Sequence, residues 1–179
     1  MNRHRIAAFI PAVLFGVSMS YVAECRQPLH TSEQFTFVAN APVADVFPLL
    51  GADRERVWAP GWEPEFLWPA VPGDQAGMVF QIAHGHRVAT WVNTLFDPLT
   101  GRVQYVYVVP EVMVTVITLQ LRPHGTGTEV VVRYERTSLS LEADSVVKDM
   151  AEHDRAAGPE WAGQINAHLG HSPASAPNQ

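Results

Sequence analysis

The sequence predicts an α+β domain in which a curved antiparallel sheet of about seven strands wraps around a long C-terminal helix, with two short helices after the first strand. Two observations carry this prediction. Residues 102–137 hold three runs rich in Val, Thr, Ile and Tyr, parted by Pro110 and by a Gly- and Thr-rich segment at 124–128, the pattern of three consecutive antiparallel strands. Downstream, only the stretch 143–169 is long enough to cover a sheet, and its Val146, Val147, Met150, Ala157, Trp161, Ile165 and Leu169 recur at the 3.6-residue period.

Parity within the strands says which side is covered. Side chains alternate across a strand, so Val103, Tyr105, Tyr107 and Val109 share one face, as do Met113, Thr115, Ile117, Leu119 and Leu121. In the third run Val130, Val132 and Tyr134 oppose Glu129, Arg133 and Glu135, which marks one buried and one wet side. The remaining elements follow in order. Residues 34–40 alternate as a first strand, and Pro42 then opens a short helix carrying Val43, Val46, Phe47 and Leu50 at helical spacing, kinked or shortened by Pro48 and stopped by Gly51. A second short helix is expected at 53–57 and an edge strand at 65–68 between Pro64 and Pro69. Strands at 78–84 and 87–96 precede a turn at 97–101. Gly158-Pro159 interrupts the last helical pattern, because proline removes a backbone donor, and a kink or break is expected there.

Length and composition bound the rest. A single domain accommodates 179 residues, and a domain of ~150 residues buries roughly 70% of its unfolded surface, so no cofactor or structural metal is needed for stability. Cys25 is the only cysteine, which excludes an internal disulfide and cysteine-rich metal ligation. Twelve Lys and Arg against eighteen Asp and Glu give a net charge of −6, with no basic run after Arg5, and this argues against a nucleic-acid partner. Arg3 and Arg5 precede the uncharged stretch 6–23, so residues 1–25 read as a signal peptide or membrane anchor, placing the domain outside the cytoplasm. A translation start at Met19 would instead leave the protein cytoplasmic. The domain itself is expected at 33–170 and a disordered tail at 171–179.

Several residues resemble the START/Bet v 1-like superfamily, also called SRPBCC or polyketide cyclase-like. They are Ala41-Pro42 with Val46-Phe47 after the first strand, Glu55-Arg56 with Trp58, Pro60-Gly61-Trp62 and Pro64, Trp91, Tyr105, and Glu160-Trp161 with Ile165-Asn166. The tryptophan-rich segment is the most specific part. The resemblance spans about 33–170 and is nearest to a bacterial subgroup of that superfamily. It implies the helix-grip architecture and a cavity between sheet and helix able to hold a hydrophobic small molecule. It does not imply catalysis, since some members cyclise or dehydrate polyketides and others carry lipids.

Candidate ligand contacts follow from parity and from the helix stripe. Phe80, Ile82, Trp91, Tyr105, Tyr107, Met113, Ile117, Tyr134, Met150 and Trp161 are expected to line one apolar volume. Inward phenols need a partner, and a ligand, a water or Thr115 could serve Tyr105 and Tyr107. Trp62 reads equally as an aromatic gate or as core, whereas Trp58 reads as core. His84 and His86 flank Gly85; on a regular strand they would share a side, but with no third ligand at a motif spacing no metal site is expected. Phosphate-cradling loops, a nucleophile elbow and a metalloprotease helix are absent from the sequence, and no catalytic residue is assigned. Three function classes remain. The preferred one is binding of a lipid- or polyketide-like hydrophobic or amphipathic molecule. An aromatase/cyclase- or dehydratase-type enzyme using His84, Tyr105 or Tyr107 as acid or base is the alternative, and an interaction domain with a filled core is the third.

Overall fold

The computed structural model describes residues 27–71 and 73–171. The expected export or anchor segment at 1–25 lies outside them, as does the tail beyond His171. Strand β1 (His30–Ala39) leads into a one-turn helix α1 (Val43–Val46), which tightens to a 3₁₀ turn at Phe47–Leu50, followed by another at Arg54–Val57. Then come β2 (Glu65–Trp68), β3 (Val79–His84), β4 (Arg87–Asp97), β5 (Arg102–Val109), β6 (Met113–His124) and β7 (Gly127–Ser138), before α2 (Asp144–Ala156) and α3 (Gly158–His171). Among the described residues no helix is long and apolar enough to cross a membrane.

All seven strands form one antiparallel sheet in the order β1-β7-β6-β5-β4-β3-β2, so each strand from β2 to β6 pairs with its successor and β1 closes the far side against β7. β1 begins four residues earlier than the alternation predicts. Its first residues are polar and carry little apolar signal, and their place is set by pairing of His30 with Thr137 and Glu33 with Tyr134. β2 is the expected edge strand.

Register converts strand parity into rows across the concave face. One row runs Phe80, Trp91, Tyr107, Thr115 and Arg136, and its neighbour runs Asn93, Tyr105, Ile117 and Tyr134. The helices cover these rows, with Val147 and Ile165 fully buried. The helical pattern breaks where Gly158-Pro159 predicts: α2 ends at Ala156 and α3 begins two residues later. At the break Gly158 lies against β1, where an added Cβ would stand 3.3 Å from the Thr36 carbonyl oxygen.

Candidate functional site

The site is built on segment 49–52, whose carbonyls sit where short 3₁₀ turns leave backbone acceptors without intrahelical partners. Three aromatic side chains supply the donors. Trp58 Nε1 donates to Leu49 O at 2.6 Å, Tyr105 Oη to Leu50 O at 3.0 Å, and Trp62 Nε1 to Ala52 O at 2.7 Å. Asp74 accepts from the Asp53 amide at 3.1 Å and lies against Gly51, where a Cβ would meet its carboxyl carbon at 2.1 Å. The segment is thus held to β5 and to the aromatic loop after it. Glu55, whose amide donates to Gly51 O at 2.8 Å, is carried by it to the concave face of the sheet.

Between that segment, the sheet and α3 lies a cavity of about 40 Å³, lined by Leu50, Glu55, Trp62, Trp91, Tyr105, Ile117, Leu119, Tyr134 and Trp161. It has room for about two or three waters at ~10–15 Å³ each, well short of the roughly 300 Å³ at which drug-sized pockets start. The rings around it interlock. Trp62 meets Trp91 edge-on with centroids 5.4 Å apart, and Trp161 packs at 5.3 Å from Trp58 and 5.5 Å from Phe35. Glu55 is the single charged group lining the cavity, and among the described residues its carboxylate has no hydrogen-bond or salt-bridge partner. Loss of hydration and then the nearby Asp74 charge push its pKa up to about 8. Asp74 is itself raised, chiefly by burial, and burial lifts the Tyr105 and Tyr134 phenols well above the usual range.

A second polar group lies one row away. Arg136 spans from β7 to α2, bonding both oxygens of Asp154 at 2.7 and 2.8 Å, and also donates to the Thr115 hydroxyl at 3.0 Å and to the Tyr107 hydroxyl. Its guanidinium lies 4.7 Å from the Tyr134 ring centroid. Burial pulls the Arg136 pKa down, but the bonds to Asp154 and the neighbouring Tyr107 outweigh it and hold the value above the ordinary one.

Of the thirteen residues expected to contact a ligand, the structure brings Trp62, Trp91, Tyr105, Ile117, Tyr134 and Trp161 to the cavity. Phe80 and Met113 are wholly buried in the core and do not line it, and Ile82 and Met150 pack at the core's margin. Tyr107 and Thr115 are bonded to Arg136 rather than to each other, because the cross-strand row sets that long side chain beside both. His84 ends β3 opposite Arg87, away from the cavity; Gly85, at φ +60°, begins the turn that takes His86 off the strand, so the same-side relation of a regular strand is lost. Trp58 is core, as its position predicts, and Trp62 is a half-buried wall of the cavity.

Three polar residues of this region escaped sequence reasoning, and two carried a signal. Arg136 has the parity of Val130, Val132 and Tyr134, and Asp154 falls on the stripe of Val147, Met150, Ala157 and Trp161. Glu55 sits in a short turn with no period to read. Two further polar groups are unpartnered: the Trp91 indole N–H, and the Asn93 amide, which lies near the Tyr105 hydroxyl without completing a hydrogen bond of normal geometry. A larger, open groove of about 640 Å³ runs past His86, Arg87, Glu111 and Leu139 at the far hairpins, but there Arg87 is already paired with Glu111 at 2.9 Å.

A seven-stranded antiparallel sheet closed over C-terminal helices, with a cavity between, is the helix-grip architecture that the sequence resemblance implies. Solved structures share it at low identity. Norcoclaurine synthase from Thalictrum flavum, in complex with dopamine and hydroxybenzaldehyde, is 14% identical over 93% of this chain and 99% of its own, with a TM-score of 0.59. A Rhizobium leguminosarum protein is 13% identical over 82% and 98%, at 0.58, and one from Rhizobium loti 19% identical over 78% and 99%, at 0.55. No protein-family model matches the chain, and no curated protein does.

Proposed function

We propose that this domain binds a small hydrophobic or amphipathic molecule in the cavity between the sheet and α3. The observation that carries the reading is the chemistry of the cavity wall, with three tryptophans, two tyrosines and three apolar residues around one unpartnered carboxyl. Glu55 is half-buried, and a filled core has no need of an unpartnered carboxyl there, since withdrawing one from water is costly. A bound molecule would displace the rings from their resting contacts. Trp62 is the wall best placed to give way, because it is half-buried and stands in the loop before β2 rather than in a strand.

The enzyme alternative is narrower here than the sequence allows. Tyr105 donates its hydroxyl to Leu50 O, while Tyr107, which accepts from Arg136, and His84 both stand off the cavity, so Glu55 is the group of the wall placed to act as acid or base. Native mass spectrometry of protein purified without detergent from its own host tests the binding reading. The expected result is a retained small-molecule mass that Ile117→Phe, which fills the cavity, abolishes while circular dichroism is unchanged. An empty protein that also fails to take up any hydrophobic or amphipathic compound in solution would overturn it.

A further inference from the structure

We infer that the cavity is built for the ammonium head of an amphipathic amine, with Glu55 as its counter-charge and the aromatic rings as its walls. The inference rests on the binding reading above and adds the chemical class of the ligand. Three features of the interior converge on it.

The first is charge. Arg136, the one buried cation among the described residues, is held by Asp154 in a two-point pair, which leaves Glu55 as the ionisable carboxyl of the cavity wall without a partner. An ammonium that displaces the Glu55 proton meets a carboxylate with no competing cation beside it, and at low dielectric a single close pair interacts far more strongly than in water. The second is size. A cavity of about 40 Å³ is large enough for an ammonium group but not for a ring system, so it selects the head of a ligand rather than its body. The third is the wall. Trp62, Trp91, Trp161, Tyr105 and Tyr134 line the cavity together with Glu55, and aromatic rings attract a cation that their faces meet.

The groups facing Glu55 also define a pH signature. Asp74 raises its proton affinity, the Tyr105 and Tyr134 phenols stay protonated throughout the accessible range, and Arg136 is neutralised by Asp154. In the empty site near neutral pH Glu55 therefore holds a proton, and an ammonium ligand must expel it to gain its counter-charge. Binding then releases up to one proton per ligand below about pH 8 and none well above it.

The test compares 2-phenylethylamine with its uncharged isostere propylbenzene on the full-length protein, following tryptophan fluorescence and calorimetry in buffers of different ionisation enthalpy. The amine keeps its charge up to about pH 10, as other alkylamines do. It is expected to bind at least about tenfold more tightly than propylbenzene near pH 8. Its affinity should rise by up to about tenfold per pH unit below that point and level off above it. Glu55→Gln, which keeps the shape and removes the charge, should erase both the preference and the pH dependence. Equal affinity for the two compounds, or an amine affinity that ignores pH in the wild-type protein, overturns the ammonium assignment and leaves hydrophobic binding standing. Failure of both compounds to bind overturns this inference and removes support from the reading beneath it. The wild-type pH profile decides the matter even if the variant folds poorly.

Discussion

Arg136 on β7 and Asp154 on α2 face each other in a bidentate ion pair that is 3% and 6% exposed, the one fully buried charge pair among the described residues. It ties the first C-terminal helix to the middle of the sheet, and Thr115 and Tyr107 satisfy more of the guanidinium. Such a pair stabilises little relative to apolar side chains of the same shape, but breaking it strands a charge. Asp154→Asn is therefore expected to cost about 3–5 kcal/mol in denaturant unfolding. The double change Arg136→Met with Asp154→Leu should recover most of that loss; a double variant as unstable as the single would mean that the pair itself holds the helix.

Glu55 makes the empty protein sensitive to alkali. Its folded pKa of about 8 stands above the ordinary 4.5, so the folded state binds the proton more tightly than the unfolded chain does. Stability is then highest below about pH 4.5 as far as this group is concerned, and falls by up to about 1.4 kcal/mol per pH unit on the way to pH 8. Asp74 shifts in the same direction and adds to the trend. Urea unfolding at about pH 6 and pH 9 should show Glu55→Gln gaining on the wild type at the higher value. A constant difference between the two proteins at both pH values would show that Glu55 titrates normally.

Trp161 joins α3 to β1 and to the loop after α1, with its ring 5.5 Å from Phe35, 6.2 Å from Phe37 and 5.3 Å from Trp58. Trp161→Ala should destabilise the domain by roughly 3–5 kcal/mol, the range for removing a large packed aromatic. It also enlarges the cavity. A thermal midpoint close to wild type would place the ring in a wall that the fold does not need.

Gly127 begins β7 where it passes β1, and a Cβ there would stand 2.5 Å from the Ala39 carbonyl oxygen. Backbone must move to admit it. Gly127→Ala is expected to cost about 1–3 kcal/mol, as overpacking does, and to loosen the β1–β7 pairing first, read as faster amide exchange from Ala39 towards Phe35. Unchanged exchange would show that the strand end adjusts freely.

The central meander and its buried parity were legible because a strand's alternation is local: Val103, Tyr105, Met113 and Ile117 announce their face through their immediate neighbours, and all four are buried. The break near Gly158-Pro159 was legible for the same reason, since proline's missing donor acts on its own helix. The early start of β1 was not, because polar residues 30–34 are held by a partner about a hundred residues away. The site divides along the same line. Six aromatic or apolar residues of the cavity wall could be placed by parity or helix stripe, yet Phe80 and Met113 share that parity and are spent on the core.

By itself, then, the chain determined the order of its elements, the inward face of each and the aromatic character of what lies between them, all consequences of residue type and short-range period. Tertiary structure alone decided how much space is left there and which charges share it. The volume depends on how rings from five separate elements interlock, and the pairing of Arg136 with Asp154 while Glu55 goes unpaired depends on register and on where the helix breaks. Neither quantity is a property of any segment, because desolvation and charge pairing arise only between groups that folding brings together.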